Sequence, residues 1–217
     1  MTAPSRSRVQ VVPYSAERHG SGPWQVVSVV FEEYGFPFQE SDYDADLADP
    51  AAHYDGERGW FSVVEDNGGQ VVGCVGVTDE GEGVFELHRL YVLASARRTG
   101  AGGSLVQWVL DVARERGARK VILFSDVHFE DAHRLYTRVG FRCTRFRYAP
   151  DPWQSREWGF ELDLGQRRPD RTDNMAVQRD RDDIASCSTK RLQAEAHGEL
   201  RGVPRTDNGS ARRMGRG

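Results

Sequence analysis

Nowhere in this 217-residue chain does an apolar run approach the roughly 20 residues that a helix needs to cross a membrane. Residues 1–12 carry arginines but no apolar block of signal-peptide length, so the expectation is a soluble, untargeted protein that makes no use of a membrane. Cysteine is equally scarce. Cys74, Cys143 and Cys187 stand singly, without CxxC spacing, which indicates neither a disulfide framework nor a cysteine zinc cluster and suits a reducing, cytoplasmic setting. No metal site is expected from histidine either, because His128 and His133 are five apart and lack a glutamate in metalloprotease spacing. Aromatic residues are missing altogether from 165–217, where Arg, Asp, Gly and Ser dominate. Such a segment cannot bury enough surface to offset the entropy of ordering it, and 165–217 is read as a disordered tail.

What charge there is lies unevenly. The net charge is -4 at pH 7, yet 165–217 holds 12 Lys/Arg against 8 Asp/Glu, leaving residues 1–164 near -8. An acidic body argues against nucleic acid as a partner, since phosphates call for a basic surface. Much of that acidity sits between 36 and 59, in Glu40, Asp42, Asp44, Asp46, Asp49, Asp55 and Glu57. The plain reading is a solvated connection; the functional alternative is a field that draws in a cationic ligand.

Periodicity divides the remainder into one domain over 8–164, preceded by a flexible 1–7. Residues 8–14 read as a strand, and Ser21-Gly22-Pro23 opens a helix whose Trp24, Val27, Val30, Phe31 and Tyr34 share a face before Gly35. A short helix is expected near 44–49. Strands 60–65, 70–78 and 84–92, joined by Asp66-Asn67-Gly68-Gly69 and by 81–83, should form an antiparallel meander. Helix 102–116 carries the stripe Leu105, Val106, Val109, Leu110 and Ala113, with Gly117 after it. The apolar run 121–124 suits a central strand parallel to 84–92. Helix 129–139, stopped by Gly140, and strands 141–148 and 156–164 complete a single α+β domain, a mixed, mostly antiparallel sheet flanked by helices. Cys74, Trp24, Trp60 and Trp108 read as core or groove residues.

Between strand 84–92 and helix 102–116 runs Arg97-Arg98-Thr99-Gly100-Ala101-Gly102-Gly103-Ser104. A helix N-terminus leaves backbone N–H groups unpaired and carries partial positive charge, so a glycine-rich approach to one suits a pyrophosphate. A Walker A loop is excluded because Ser104-Leu105 stands where Lys-Ser/Thr is required. A dinucleotide fingerprint is excluded because Leu105 occupies its third small position.

Three segments in this order resemble the GNAT superfamily of acyl-CoA-dependent N-acetyltransferases: Phe85-Glu86-Leu87-His88-Arg89-Leu90-Tyr91-Val92, the loop Arg97-x-x-Gly100-x-Gly102, and Ala132-His133-Arg134-Leu135-Tyr136-Thr137-Arg138-Val139-Gly140-Phe141. The resemblance covers about residues 8–164. It implies an enzyme that moves an acetyl group from acetyl-CoA, as cosubstrate, to an amine on a small molecule or protein by direct attack in a ternary complex. It also implies that the backbone from Arg97 through Arg98, Thr99, Gly100, Ala101 and Gly102 to Gly103 holds the pyrophosphate. Leu90, Tyr91 and Val92 would run beside the pantetheine arm, with a β-bulge turning the N–H of Val92 to the thioester oxygen. Members of the family often form homodimers. One position departs from the pattern: many members have Asn three residues before the alanine, and here it is Phe129.

An alkyl ammonium with a pKa near 10 must lose a proton before it attacks. Glu86 stands 11 residues before Arg97, the spacing of the general-base glutamate in histone-type members. Strand alternation places His88 on the same face, so the two could relay a proton, and Asp126 is a further candidate base. Tyr136 matches the family's acid tyrosine, which protonates the departing thiolate. The alternative to an enzyme is a module or sensor that binds acetyl-CoA without turnover; a third reading is an interaction protein acting through its tail.

Overall fold

The computed structural model of the chain describes residues 10–37 and 44–165. The expected flexible N-terminus and disordered tail, with Glu40 and Asp42, lie outside the described residues. Seven strands form one sheet in the order β1-β2-β3-β4-β5-β7-β6: β1 (Gln10–Pro13), β2 (Gly59–Glu65), β3 (Val71–Gly81), β4 (Val84–Val92), β5 (Lys120–Asp126), β6 (Arg142–Tyr148) and β7 (Arg156–Asp163). The helices are α1 (Ala16–His19), α2 (Gly22–Tyr34), α3 (Pro50–His53), α4 (Ala101–Glu115) and α5 (Glu130–Val139), with 3-10 turns at Ala45–Leu47 and Ala94–Ala96. The expected meander is present, and β5 is parallel to β4 as its apolar run predicts. Sequence periodicity missed α1, a single turn. The short helix expected near 44–49 resolves into a 3-10 turn followed by α3.

Two apolar layers sandwich the sheet, and alternation along β2 and β3 supplies both. Phe61, Val63 and Cys74 face α2 with Val26, Val27 and Leu47, while Val64, Val75 and Val77 face α4. The α4 stripe, Leu105, Val106, Val109, Leu110 and Ala113, is fully buried on β4 residues Phe85 and Leu87. Each such aliphatic side chain contributes about 1.5–3 kcal/mol of transfer free energy, which makes α4 the most firmly seated helix. Gly76 admits Tyr54: a Cβ there would lie 2.7 Å from the tyrosine ring, so this close approach accepts no larger residue. Trp24, Trp60 and Trp108 pack at the edges of these layers. Cys74 is a buried free thiol, whereas Cys143 is in a disulfide bond, contrary to the expectation from solitary spacing. No helix among the described residues is long and apolar enough to cross a membrane.

Candidate active site

The parallel pairing of β4 with β5 lasts for four residue pairs, Val84 with Lys120 through Leu87 with Leu123. Beyond that point β4 runs on to Val92 and β5 to Asp126 without pairing, and the sheet opens as a wedge. A β-bulge lies at its mouth. Cys74 pairs with Tyr91 and Gly76 with His88, so Arg89 and Leu90 stand opposite Val75 alone, and Arg89 takes the left-handed conformation with φ 52°. Past the bulge Leu93 donates its N–H to Val72 O at 2.9 Å. Alternation therefore turns the N–H and C=O of Val92 to the opposite edge, into the wedge, where Val92 O accepts from Arg97 Nε at 3.0 Å.

The glycine-rich turn is built by two left-handed residues, Arg98 (φ 62°) and Gly100 (φ 101°), around Thr99, whose hydroxyl donates to Ala96 O at 2.7 Å. The first bond of α4 is Ser104 N–H to Gly100 O at 2.9 Å. Among the described residues, the N–H groups of Arg98, Thr99, Gly100, Ala101, Gly102 and Gly103 have no backbone acceptor, whereas that of Arg97 is given to Leu93 O at 3.1 Å. The Arg97 guanidinium is also engaged, gripping both oxygens of Glu33 at 2.6 and 2.7 Å. Arg97 thus ties the end of α2 to the turn, and six N–H groups from 98 to 103 remain for an anion. Gly102 is tightly packed: a Cβ there would lie 3.2 Å from Leu135 Cδ2, so the leucine side chain would have to give way.

Glu86 lies on the paired part of β4, one residue before the wedge opens, at one end of a polar chain. Its Oε1 is 3.8 Å from His88 Nδ1; His88 Nε2 is 2.8 Å from Thr78 Oγ1; and Thr78 donates to Glu80 Oε1 at 2.6 Å. Since the single hydroxyl proton of Thr78 goes to Glu80, Nε2 of His88 is the protonated nitrogen and Nδ1 turns its lone pair toward Glu86. Burial, with the charges of Glu80 and Glu157 added, raises the Glu86 carboxyl above the usual range against the pull of Arg147 and Arg145. Burial lowers His88 to about 4 despite Glu80, so the imidazole is neutral at pH 7. A carboxylate of raised pKa beside a neutral imidazole is suited to take up and pass on a proton. Among the described residues, Glu80, Glu86 and His88 approach closely enough to share a cation.

Tyr136 approaches the wedge from α5, buried between Phe141 and Phe160. Its hydroxyl has no hydrogen-bond partner among the described residues, and desolvation raises its pKa well above the phenol value. Tyr91, across the wedge on β4, is close enough for the two phenols to influence each other. Asp126, the other candidate base, ends β5 and accepts from His128 N and Nδ1 at 2.9 and 2.6 Å. Phe129, the departure from the family pattern, packs on Tyr34, Phe36 and Tyr91 with ring centroids 4.7, 5.3 and 6.0 Å away. It bridges α2 to the cleft where a polar residue would contact a ligand.

On the α2 side the wedge widens into a cavity of about 150 Å³. Phe31, Phe36 and Pro37 from the end of α2, Tyr91 from β4, Phe124 from β5 and Trp153 from the β6–β7 connection form its apolar wall. Asp44, Asp126, Asp151 and Glu157 supply carboxylates, and Arg89 a cation. Arg89 donates to Asp44 at 2.7 Å and to both oxygens of Asp46 at 2.6 and 3.0 Å, while Tyr54 OH donates to Asp46 at 3.0 Å. This clamp, which no sequence motif announced, holds the acidic connection against the bulge.

The acetyltransferase (GNAT) family model matches residues 24–141. An uncharacterised N-acetyltransferase of Schizosaccharomyces pombe is 30% identical over 124 residues, covering 57% of this chain and 76% of the relative. The aminoalkylphosphonate N-acetyltransferase of Salmonella typhimurium is 27% identical over 154 residues, 66% of this chain and 95% of that protein. Among solved structures, a GNAT acetyltransferase of Staphylococcus aureus Mu50 superposes with a TM-score of 0.63 at 18% identity, covering 72% of this chain and 99% of the other, a likeness of fold.

Proposed function

Because the chain belongs to the acetyltransferase (GNAT) family, whose chemistry is acyl transfer, we propose that it moves an acetyl group from acetyl-CoA to an amine by direct attack in a ternary complex. The observation that carries this reading is the wedge between β4 and β5. It gives an extended cosubstrate arm an unpaired strand edge, with Val92 N–H facing inward and the free N–H groups of 98–103 at its outer end. A pyrophosphate at the start of α4 and a pantetheine arm along Leu90, Tyr91 and Val92 satisfy those groups, which otherwise face only water. The thioester oxygen then lies against Val92 N–H, a fixed donor for the charge that develops as the carbonyl is attacked.

The acceptor arrives protonated. Glu86 takes its proton and His88 Nδ1 shares it, with Thr78 and Glu80 holding the imidazole in the required tautomer. The neutral amine attacks the thioester carbon, the C–N bond forms and the C–S bond breaks. Tyr136, whose phenol is protonated throughout the physiological range, donates to the departing thiolate. No covalent enzyme intermediate is needed.

A free-thiol assay with acetyl-CoA and a panel of amines tests the proposal. The chain is expected to release thiol in proportion to acceptor. Glu86→Gln should cost about 10²–10³ in kcat and remove the acid limb of the pH profile, which tracks the raised Glu86 pKa. Tyr136→Phe should lower kcat about 10-fold or more without changing thermal stability, since the lost hydroxyl has no partner among the described residues. Tight acetyl-CoA binding with no turnover for any amine would establish a binding module instead.

A further inference from the structure

The cavity on the α2 side of the wedge includes Glu157, whose charge reaches Glu86, and on the acetyl-transfer reading above it is the place for the amine. Its volume, about 150 Å³, is that of a site that holds a single benzene-sized body. The apolar part of its wall is ring face and edge, and polar side chains make the rest: Phe31, Phe36, Tyr91, Phe124 and Trp153 come from four different parts of the chain and converge there. Flat apolar bodies are favoured in such a slot over extended polar chains.

The charge of the lining is net negative. Arg89 is the one basic side chain that lines the cavity among the described residues, and its guanidinium is already shared between Asp44 and Asp46. Arg147 stands behind the wall, bonded to Glu157 at 2.7 Å and lying over the Phe124 ring at 3.2 Å from its centroid. Asp126 has the imidazole of His128 as its partner, and one oxygen of Asp151 is held by the backbone N–H groups of Trp153 and Ser155. Neither Asp126 nor Asp151 faces a Lys or Arg in these contacts. Burial above all, with the charges of Asp126 and Asp151 added, resists the ionisation of Glu157 against the pull of Arg147, and an incoming cation relieves the repulsion among the three carboxylates. The same carboxylates repel an anion, and no free guanidinium offers to compensate it.

We infer that the acceptor is a cationic amine on a flat apolar body of about one ring, carrying no carboxylate or phosphate of its own. The matched pair 2-phenylethylamine and phenylalanine tests this, because the two differ by one carboxylate on the same skeleton. With acetyl-CoA and the full chain, thiol release should favour 2-phenylethylamine by about 100-fold in kcat/KM. In the Asp126→Asn/Asp151→Asn variant, whose amide oxygens still accept the same backbone N–H groups, that preference should shrink about 10-fold. The loss should enter through KM for the amine, with KM for acetyl-CoA unchanged. Phenylalanine turned over as well as 2-phenylethylamine by the parent chain overturns the inference and leaves acetyl transfer standing, as does a preference that the variant retains in full. No thiol release with any amine of a broad panel overturns the acetyl-transfer reading itself. The parent comparison needs no substitution, so a variant that fails to fold does not protect the inference.

Discussion

Arg89→Met is the most informative single change to the scaffold of the site. The guanidinium side chain is 13% exposed, and its partners Asp44 and Asp46 are 1% and 17% exposed. Burial works against the charge of Arg89, yet Asp46 and Asp44 outweigh it and hold the pKa above the ordinary value. Methionine keeps much of the aliphatic stem and removes the charge. Asp44 is then left without that charge partner, and Asp46 retains the Tyr54 hydroxyl. Removing one partner of a buried pair costs about 3–5 kcal/mol, because the remaining charge stays desolvated. At about 2–4 °C per kcal/mol for a domain of this size, the variant should melt roughly 10 °C lower by calorimetry at pH 7. Adding Asp44→Asn and Asp46→Asn removes the stranded charges and should restore most of the loss, which separates charge from shape. A melting point for Arg89→Met within about 2 °C of the parent would refute the argument, showing these pairs too hydrated to matter. Failure of the triple variant to recover would place the cost in the backbone of the bulge.

Acid should destabilise the fold through two histidines. Burial holds His88 and His133 at about 4, against 6.5 for the free side chain, so the unfolded chain binds more protons between those values. Their contribution is complete above pH 6.5 and is lost as the pH falls toward 4; melting temperatures between pH 4 and 8 should show this slope, and His88→Gln/His133→Gln should flatten it. Gly102→Val places a branched side chain where Cβ alone is 3.2 Å from Leu135. It should raise KM for acetyl-CoA about 10-fold and leave KM for the amine in place, and equal effects on both would contradict the assignment of this turn to the cosubstrate.

Local physics explains what could be read in advance. The strands of the meander and the α4 stripe follow from periodicity, since a face that must be buried leaves its spacing in the residues. Gly35, Gly117 and Gly140 each follow the last periodic residues of a helix in the sequence, and all three have positive φ. The parallel β5 showed itself as an apolar run, although only one face, with Val121 and Leu123, is fully buried and Ile122 and Phe124 on the other are half-buried. The bulge at Arg89 was implied by the family resemblance and by nothing in the residues themselves. It arises where one strand carries an extra residue against its neighbour, and no residue type at 89 or 90 demands it. The cavity was not legible: Phe36, Phe124 and Trp153 are separated by long stretches of chain, and the placement of β7 between β5 and β6 brings the β6–β7 connection to the wedge. The same holds for Arg97. Its place in a phosphate-loop motif suggested an anion ligand, and only the packing of α2 reveals the bidentate grip on Glu33.

The four residue pairs that join β4 to β5 also act as the vertex of an angle. If the sheet flexes there, a point moves in proportion to its distance from that vertex. Val92 lies five residues beyond Leu87, roughly 16 Å along an extended strand, whereas Glu86 adjoins it. Opening the angle therefore displaces the outer strand edge by ångströms and the Glu86 carboxylate by a small fraction of that. On the proposed chemistry, the proton acceptor keeps its place beside His88 while the jaws around it adjust.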